Sequence, residues 1–126
     1  MALNPPGIAI AIVLGLLLLV GNLLAIFATR MAATGRMDRA SMGGIRTSST
    51  RLSDATWEAA HRAALPWVYV LNGIGAVGGV ATMCLGLTVM PFLISCGISV
   101  ACTAAGAIAQ LVVGERAASR VAEQAQ

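Results

Sequence analysis

The sequence predicts an all-α integral membrane protein with three transmembrane helices. Of its 126 residues, 58% are hydrophobic and 10% are charged, and the mean hydropathy is +0.85. Soluble domains carry about 25% charged residues, so this chain has too few to cover a water-facing surface. Two long runs, 1–29 and 63–114, contain no charged side chain. The length suits a single membrane domain over 1–126.

The first uncharged run predicts a helix at about 7–28, since about 20 apolar residues cross the hydrocarbon of a bilayer. A cleaved signal peptide is the alternative. Such a peptide has basic residues before an apolar core of about 7–15 residues, whereas no basic residue precedes this longer run. We therefore expect a retained helix.

The second uncharged run is about twice the length of one span, and it predicts helices at about 65–85 and 91–113. We expect the turn between them at "LGLTVMP", Leu85 to Pro91, because glycine loosens a helix end and proline suits a first turn. Ahead of these spans, Ser53 is a suitable N-cap for "DATWEAAHR", and Pro66 is expected to end or kink that helix. The sequence thus predicts a short interfacial helix at about 54–65.

All eight arginines and five acids lie in a loop, 30–62, and a tail, 114–126. The loop holds six arginines against three acids. Short arginine-rich segments stay in the cytoplasm, so we expect loop and C-terminus inside and the N-terminus outside. We therefore interpret the positive charge as a sign of topology and not as a nucleic-acid footprint. An anionic lipid is a candidate partner of the arginine-rich loop.

Two patterns that could indicate a cofactor or a metal have simpler explanations. "GIGAVG", Gly73 to Gly78, has the glycine spacing of a dinucleotide site but lies within a predicted membrane helix, without the preceding strand or the following acid that such a site needs. The three cysteines are odd in number, and a single histidine cannot complete a usual zinc site. We expect no cofactor and no metal.

Small and polar residues inside the spans predict faces where helices pack together. Gly75 and Gly79 have the small-xxx-small spacing of closely packed helices, and each hydrogen bond between polar side chains of neighbouring helices is worth about 0.6–2 kcal/mol. A ligand cavity is the alternative. With no acid or base in any span, a proton relay is not expected. The candidate packing residues are Asn22, Asn72, Gly75, Gly79, Ser99, Thr103 and Gly106.

The charged loop contains "GGIRTSSTRLSDATWEAAHR", Gly43 to Arg62, which combines a flexible turn, hydroxyl donors, a helix cap and an aromatic pair. In a helix, Trp57 and His61 are neighbours, and Glu58 can pair with Arg62. The Arg46 guanidinium suits bidentate binding of a carboxylate or phosphate, including the carboxylate of Asp54 or Glu58.

This order of residues resembles the signature of the SdpI family of bacterial membrane proteins, in which a cytoplasmic G-I-R-T segment leads through a T…W step to H-R before a helix pair. The chain has Ser48 where the family commonly has proline and Ala40 where it often has asparagine. It also lacks the additional spans of the founding immunity protein, so it is a short, three-helix form. The matching positions, with Ser53 as an addition, are Gly44, Ile45, Arg46, Thr47, Thr50, Ser53, Trp57, His61 and Arg62.

The resemblance implies a multi-pass protein of the bacterial cytoplasmic (inner) membrane, acting in toxin or bacteriocin immunity or envelope-stress signalling through the motif loop. The alternative is a small accessory subunit of a larger transporter, respiratory or envelope complex. Either function implies a membrane-protein partner or a homo-oligomer within the lipid bilayer. We do not expect an enzyme, because no nucleophile–base pair can be recognised.

Overall fold

The computed structural model describes residues 2–126 and contains three helices: α1 (Ile8–Ala33), α2 (Asp54–Cys84) and α3 (Met90–Gln124). Each is long and apolar enough to cross a membrane, and residues 2–126 contain no strand. The predicted fold class is confirmed, and the chain is a multi-pass membrane protein.

The three helices run antiparallel, with α2 in the middle. It packs along both neighbours, whereas α1 and α3 barely touch each other. At one end of the bundle the Gly7 N–H donates to the Gly86 carbonyl at 2.9 Å, and a Cβ on Gly86 would lie 2.7 Å from the Ala11 methyl. Glycine at 86 therefore lets the start of α1 approach the α2–α3 turn closely.

All the charged residues lie at the opposite end, which we call the charged end. It comprises the end of α1, the loop 34–53, the start of α2 and the last part of α3. Since about 20 residues span the hydrocarbon, the 31 residues of α2 and the 35 of α3 exceed one span by several turns. Both helices therefore have room to project from the membrane at the charged end.

The short helix predicted over 54–65 is not a separate element. Residues 54–84 form one helix with Pro66 inside it. Proline has no N–H, so Pro66 removes the hydrogen bond that the Arg62 carbonyl would otherwise accept. Arg62 lies near the charged end, where water can hydrate this carbonyl. The helix does start where Ser53 predicts it: the Ser53 and Thr56 side chains each accept from the other residue's backbone N–H, a capping box.

The third helix continues beyond the predicted span, from 113 to Gln124. Pro91 occupies its first turn, as the sequence indicates. The residues beyond 113 form a helical extension of α3 that carries the chain's last charges.

Candidate functional site

The residues 44–62, which we call the motif segment, begin with a turn that only glycine suits. Gly44 has φ +85°, and a Cβ there would lie 2.7 Å from His61 Nε2 and 2.9 Å from the Trp57 ring. The turn directs the next backbone N–H, that of Ile45, onto His61 Nε2 at 2.7 Å. Both the positive φ and the adjacent His61 and Trp57 side chains therefore favour glycine at position 44.

His61 is fully buried, and both of its ring nitrogens are engaged. Nδ1 lies 2.7 Å from the Trp57 carbonyl and Nε2 accepts from the Ile45 N–H. A carbonyl can only accept, so these contacts require the neutral tautomer with hydrogen on Nδ1. Burial lowers the pKa of His61, and the hydrogen bond to Trp57 opposes this only in part.

Trp57 links three parts of the charged end. Its indole Nε1 donates to the Met37 carbonyl at 2.8 Å, and its ring is tilted against the His61 imidazole with 4.3 Å between centroids. The Arg46 guanidinium carbon lies 5.9 Å from the Trp57 ring centroid, within cation–π range. The side chain is buried, so Trp57 fastens the loop to α2.

Arg46 binds backbone carbonyls of its own loop. Its guanidinium donates to Arg39 O at 3.1 Å, to Gly43 O at 3.3 Å and to Ser41 O. The two acids considered as partners are paired elsewhere: Asp54 with Arg39 at 3.0 Å and Glu58 with Arg62 at 3.8 Å. The planar donor array therefore holds the 39–43 loop against Trp57.

Hydroxyl groups of the motif segment form hydrogen bonds within the loop and between the loop and the first turn of α2. The Thr50 hydroxyl is fully buried, accepts from the Thr47 N–H at 2.9 Å and lies 2.9 Å from the Ile45 carbonyl, to which it donates. The Thr56 hydroxyl lies 3.2 Å from the Thr50 carbonyl. The Thr47–Thr50 turn is thereby joined to the first turn of α2.

The α3 extension covers this loop, a contact that sequence reasoning missed. A Cβ on Gly114 would lie 2.9 Å from the Ile45 side chain, and the Thr47 hydroxyl donates to the Glu115 carboxylate. Hydrogen bonds from the Ser49 and Thr47 hydroxyls lower the pKa of Glu115. The small residues Gly114 and Ala118 are the sequence signal that could have indicated this docking face, since Ala118 is fully buried.

Within the bundle, the polar residues among the predicted packing residues form one cluster across all three helices. The Asn22 amide donates to Thr103 Oγ1 at 2.8 Å and accepts from the Asn72 amide at 2.9 Å. The Ser99 hydroxyl donates to the Gly75 carbonyl at 2.6 Å. Asn22 of α1 is thus the central residue of the cluster.

Glycines make room for this cluster. A Cβ on Gly75 would lie 2.6 Å from Asn22 Oδ1, one on Gly79 would lie 2.7 Å from the Gly15 carbonyl, and one on Gly106 would overlap Asn72 Oδ1. Among the described residues, Asn72 Oδ1 is a buried oxygen without a hydrogen-bond partner. It lies against Gly106, where a Cβ would overlap it.

The structure therefore gathers the sequence-predicted residues into two groups, the motif segment at the charged end and the polar cluster in the bundle. Residues 2–126 contain no group of three His, Cys, Asp or Glu that could hold a metal ion.

Comparison with known proteins gives a match to one protein family over most of the chain. The family model for the SdpI/YfhL protein family matches residues 36–113, more than half of the chain. No curated protein and no solved structure showed a significant match.

Proposed function

The chain belongs to the SdpI/YfhL family, and we propose that it acts in toxin or bacteriocin immunity or in envelope-stress signalling, with the charged end as a cytoplasmic interaction surface. In this proposal it resides in the bacterial cytoplasmic membrane with its N-terminus outside. Binding to a membrane-protein partner or to a second copy of the chain is the mode of action.

The observation that carries the proposal is the internal order of the motif segment. Its side chains Ile45, Thr50, Trp57 and His61 are buried. The last three form hydrogen bonds with backbone groups of the loop and of α2. A linker that only supplied positive charge would not need these contacts. A rigid loop can present a fixed surface and bind without a large ordering cost.

The buried residues hold this surface, and exposed neighbours form it. Met42 is 98% exposed and Leu52 is 63% exposed, both on the loop at the charged end. Apolar side chains gain free energy when a partner removes them from water. We therefore assign partner contact to the Met42 and Leu52 side chains and a positioning role to the motif residues.

The same geometry favours binding over catalysis. A general base needs a free lone pair within reach of a substrate proton, but the Nε2 lone pair of His61 accepts from Ile45 and the ring is fully buried. We propose that the protein is not an enzyme.

The proposal is tested by survival of a host strain that lacks the chromosomal copy, challenged with a panel of membrane-active peptide toxins and envelope stresses. The wild-type chain should restore survival to at least one challenge, and the Met42→Ser/Leu52→Ser variant should not. Leu87→Ser is the matched control, since Leu87 is 71% exposed at the opposite end of the bundle, and it should restore survival fully. Membrane levels of each variant are compared by immunoblot.

Survival that does not depend on the chain under any challenge would contradict the proposal. Purification in a mild detergent then separates the alternative. One large membrane complex holding the chain at fixed stoichiometry would support an accessory subunit, for which the exposed apolar faces of α1 and α3 would be docking faces.

A further inference from the structure

At the charged end of α1, five side chains line a groove of about 410 Å³ that the motif segment does not use. We call it the basic groove; its residues are Phe27, Arg30, Met31, Thr34 and Arg36. The first four recur at i, i+3, i+4 and i+7, which places them on one face of the helix. The groove therefore lies where the apolar surface of α1 meets its first arginines.

A helix-ending turn brings the fifth residue back onto this face. The Arg36 N–H donates to the Met31 carbonyl at 2.8 Å, and the Gly35 N–H donates to the Ala32 carbonyl at 3.4 Å. These two bonds, with Gly35 at φ +77°, form a Schellman motif. The turn fixes Arg36 beside the last turn of α1, where it lines the groove together with Arg30.

The two arginines of the groove carry uncompensated charge. Within residues 2–126 neither Arg30 nor Arg36 forms an ion pair, whereas Arg39 pairs with Asp54 and Arg62 with Glu58. Both side chains are exposed. Two guanidinium groups with ten N–H donors between them suit the oxygens of a phosphate, which they can bind through charge-assisted pairs.

The groove continues into an apolar stripe that runs down the membrane part of α1. Phe27 is 59% exposed, Leu24 61%, Leu23 50% and Val20 45%. These residues lie three or four positions apart, so they extend the face of the groove toward the bilayer centre. An acyl chain could follow this stripe while its headgroup stays at the arginines.

We propose that the basic groove binds an anionic glycerophospholipid, with the phosphodiester held by Arg30 and Arg36 and an acyl chain along Phe27, Leu24 and Val20. Charge decides the lipid class. The amine or choline of a zwitterionic headgroup would meet two arginines, whereas a headgroup without a cation leaves the phosphate charge free to pair with them. This inference does not depend on the proposed function.

The test uses the full chain in mixed micelles that contain equimolar phosphatidylglycerol and phosphatidylcholine, with retained lipids counted by native mass spectrometry. The wild type should retain phosphatidylglycerol preferentially. Replacing Arg30 and Arg36 by glutamine should lower that preference by about fivefold per arginine. Arg36→Lys keeps the charge without the planar fork, and it should fall between the wild type and Arg36→Gln.

Arg120→Gln is the matched control, because it removes the same charge from an exposed arginine in the α3 extension, farther from the apolar span. It should leave the preference unchanged. Equal retention of both lipids by the wild type, or an equal loss in Arg120→Gln and Arg36→Gln, would overturn the proposal. Displacement of the retained lipid by millimolar inorganic phosphate would also overturn it, because the groove would then be a free-phosphate site.

Discussion

Gly44 illustrates how one residue fixes the motif segment. Its φ of +85° is costly for other residues, and a Cβ would meet both His61 and Trp57. We expect Gly44→Ala to lower the free energy of unfolding by about 1–3 kcal/mol. Thermal unfolding in detergent measures this. Gly97→Ala is the control, since a Cβ at Gly97 meets nothing within 4 Å; equal melting of the two variants would contradict the assignment.

Arg46 acts through the geometry of its donors as well as through its charge. Arg46→Lys keeps the charge but cannot reach three carbonyls from one planar group. We expect a loss of about 1–3 kcal/mol in the free energy of unfolding, measured by denaturant titration in detergent. Arg51→Lys is the comparison, because Arg51 is exposed and its side chain donates no hydrogen bond within residues 2–126. An equal loss of unfolding free energy in Arg46→Lys and Arg51→Lys would mean that the bonds from Arg46 to the three carbonyls do not stabilise the fold.

His61 predicts a pH dependence with a definite sign. Burial lowers its pKa in the folded protein below the ordinary value of 6.5, so the unfolded chain binds more protons as the pH falls below about 6.5. Stability should be constant above that pH and should decrease below it. The groups packed against the ring are the Ile45 N–H, the Trp57 carbonyl and, across Trp57, the Arg46 cation.

The measurement is the melting temperature between pH 7.5 and 5.5. Histidine is the side chain whose ordinary pKa falls in this window, and His61 is the one histidine of the sequence. His61→Gln should flatten the curve, because a glutamine amide does not titrate. A wild-type melting temperature that rises on acidification would show that the folded state holds the protonated ring, contrary to this geometry.

At the scale of the helices, α1 and α2 approach at Gly79, where a Cβ would meet backbone atoms of Gly15 and Leu19 at 2.7 Å. Backbone cannot swing aside as a side chain can, so Gly79→Leu must push α1 away. We expect a loss of about 1–3 kcal/mol, read from thermal melting and from the size of the particle in detergent. Gly73→Leu, at a glycine with open space around it, should be close to neutral. Unchanged behaviour of Gly79→Leu would place that face toward lipid.

The helices also show where sequence patterns stop being informative. Local signals predicted the start of α2 at Ser53 and the turn before Pro91, because caps and proline act on adjacent residues. The continuity of α2 through Pro66 depends on which carbonyl loses its donor and whether water can replace it. The docking of Glu115 on Thr47 joins residues far apart in the chain, and no local pattern encodes it.

For the candidate site, the sequence pointed to the motif residues as candidates but did not indicate their hydrogen-bond partners. The spacing placed Trp57 beside His61, which the helix geometry requires. It could not indicate that Arg46 would bind carbonyls of residues 39–43, since the path of that loop depends on the Met37–Trp57 contact. In the bundle, the sequence indicated Asn22, Asn72 and Thr103 as packing residues, but the hydrogen bonds among them depend on the relative positions of the three helices.

For the whole molecule, the antiparallel arrangement places every charged residue at one end of the bundle. The other end, at Gly7 and Gly86, belongs to the segments 2–29 and 63–114, which contain no charged side chain. Six of the eight arginines belong to the loop between α1 and α2. Because short arginine-rich segments are retained in the cytoplasm, we predict that the charged end faces the cytoplasm and that the N-terminus lies outside.

Single cysteines test this orientation after Cys84, Cys96 and Cys102 have been replaced by alanine. Asn4→Cys should react with a membrane-impermeant maleimide in intact cells, and Ser48→Cys should react only after the membrane is opened; both positions are exposed in the fold. Labelling of Ser48→Cys but not Asn4→Cys in intact cells would show that the protein has the opposite orientation in the membrane. The motif segment would then face the outside, and a cytoplasmic partner could not reach Met42 and Leu52. The orientation is therefore the physical condition on which the proposed interaction surface depends.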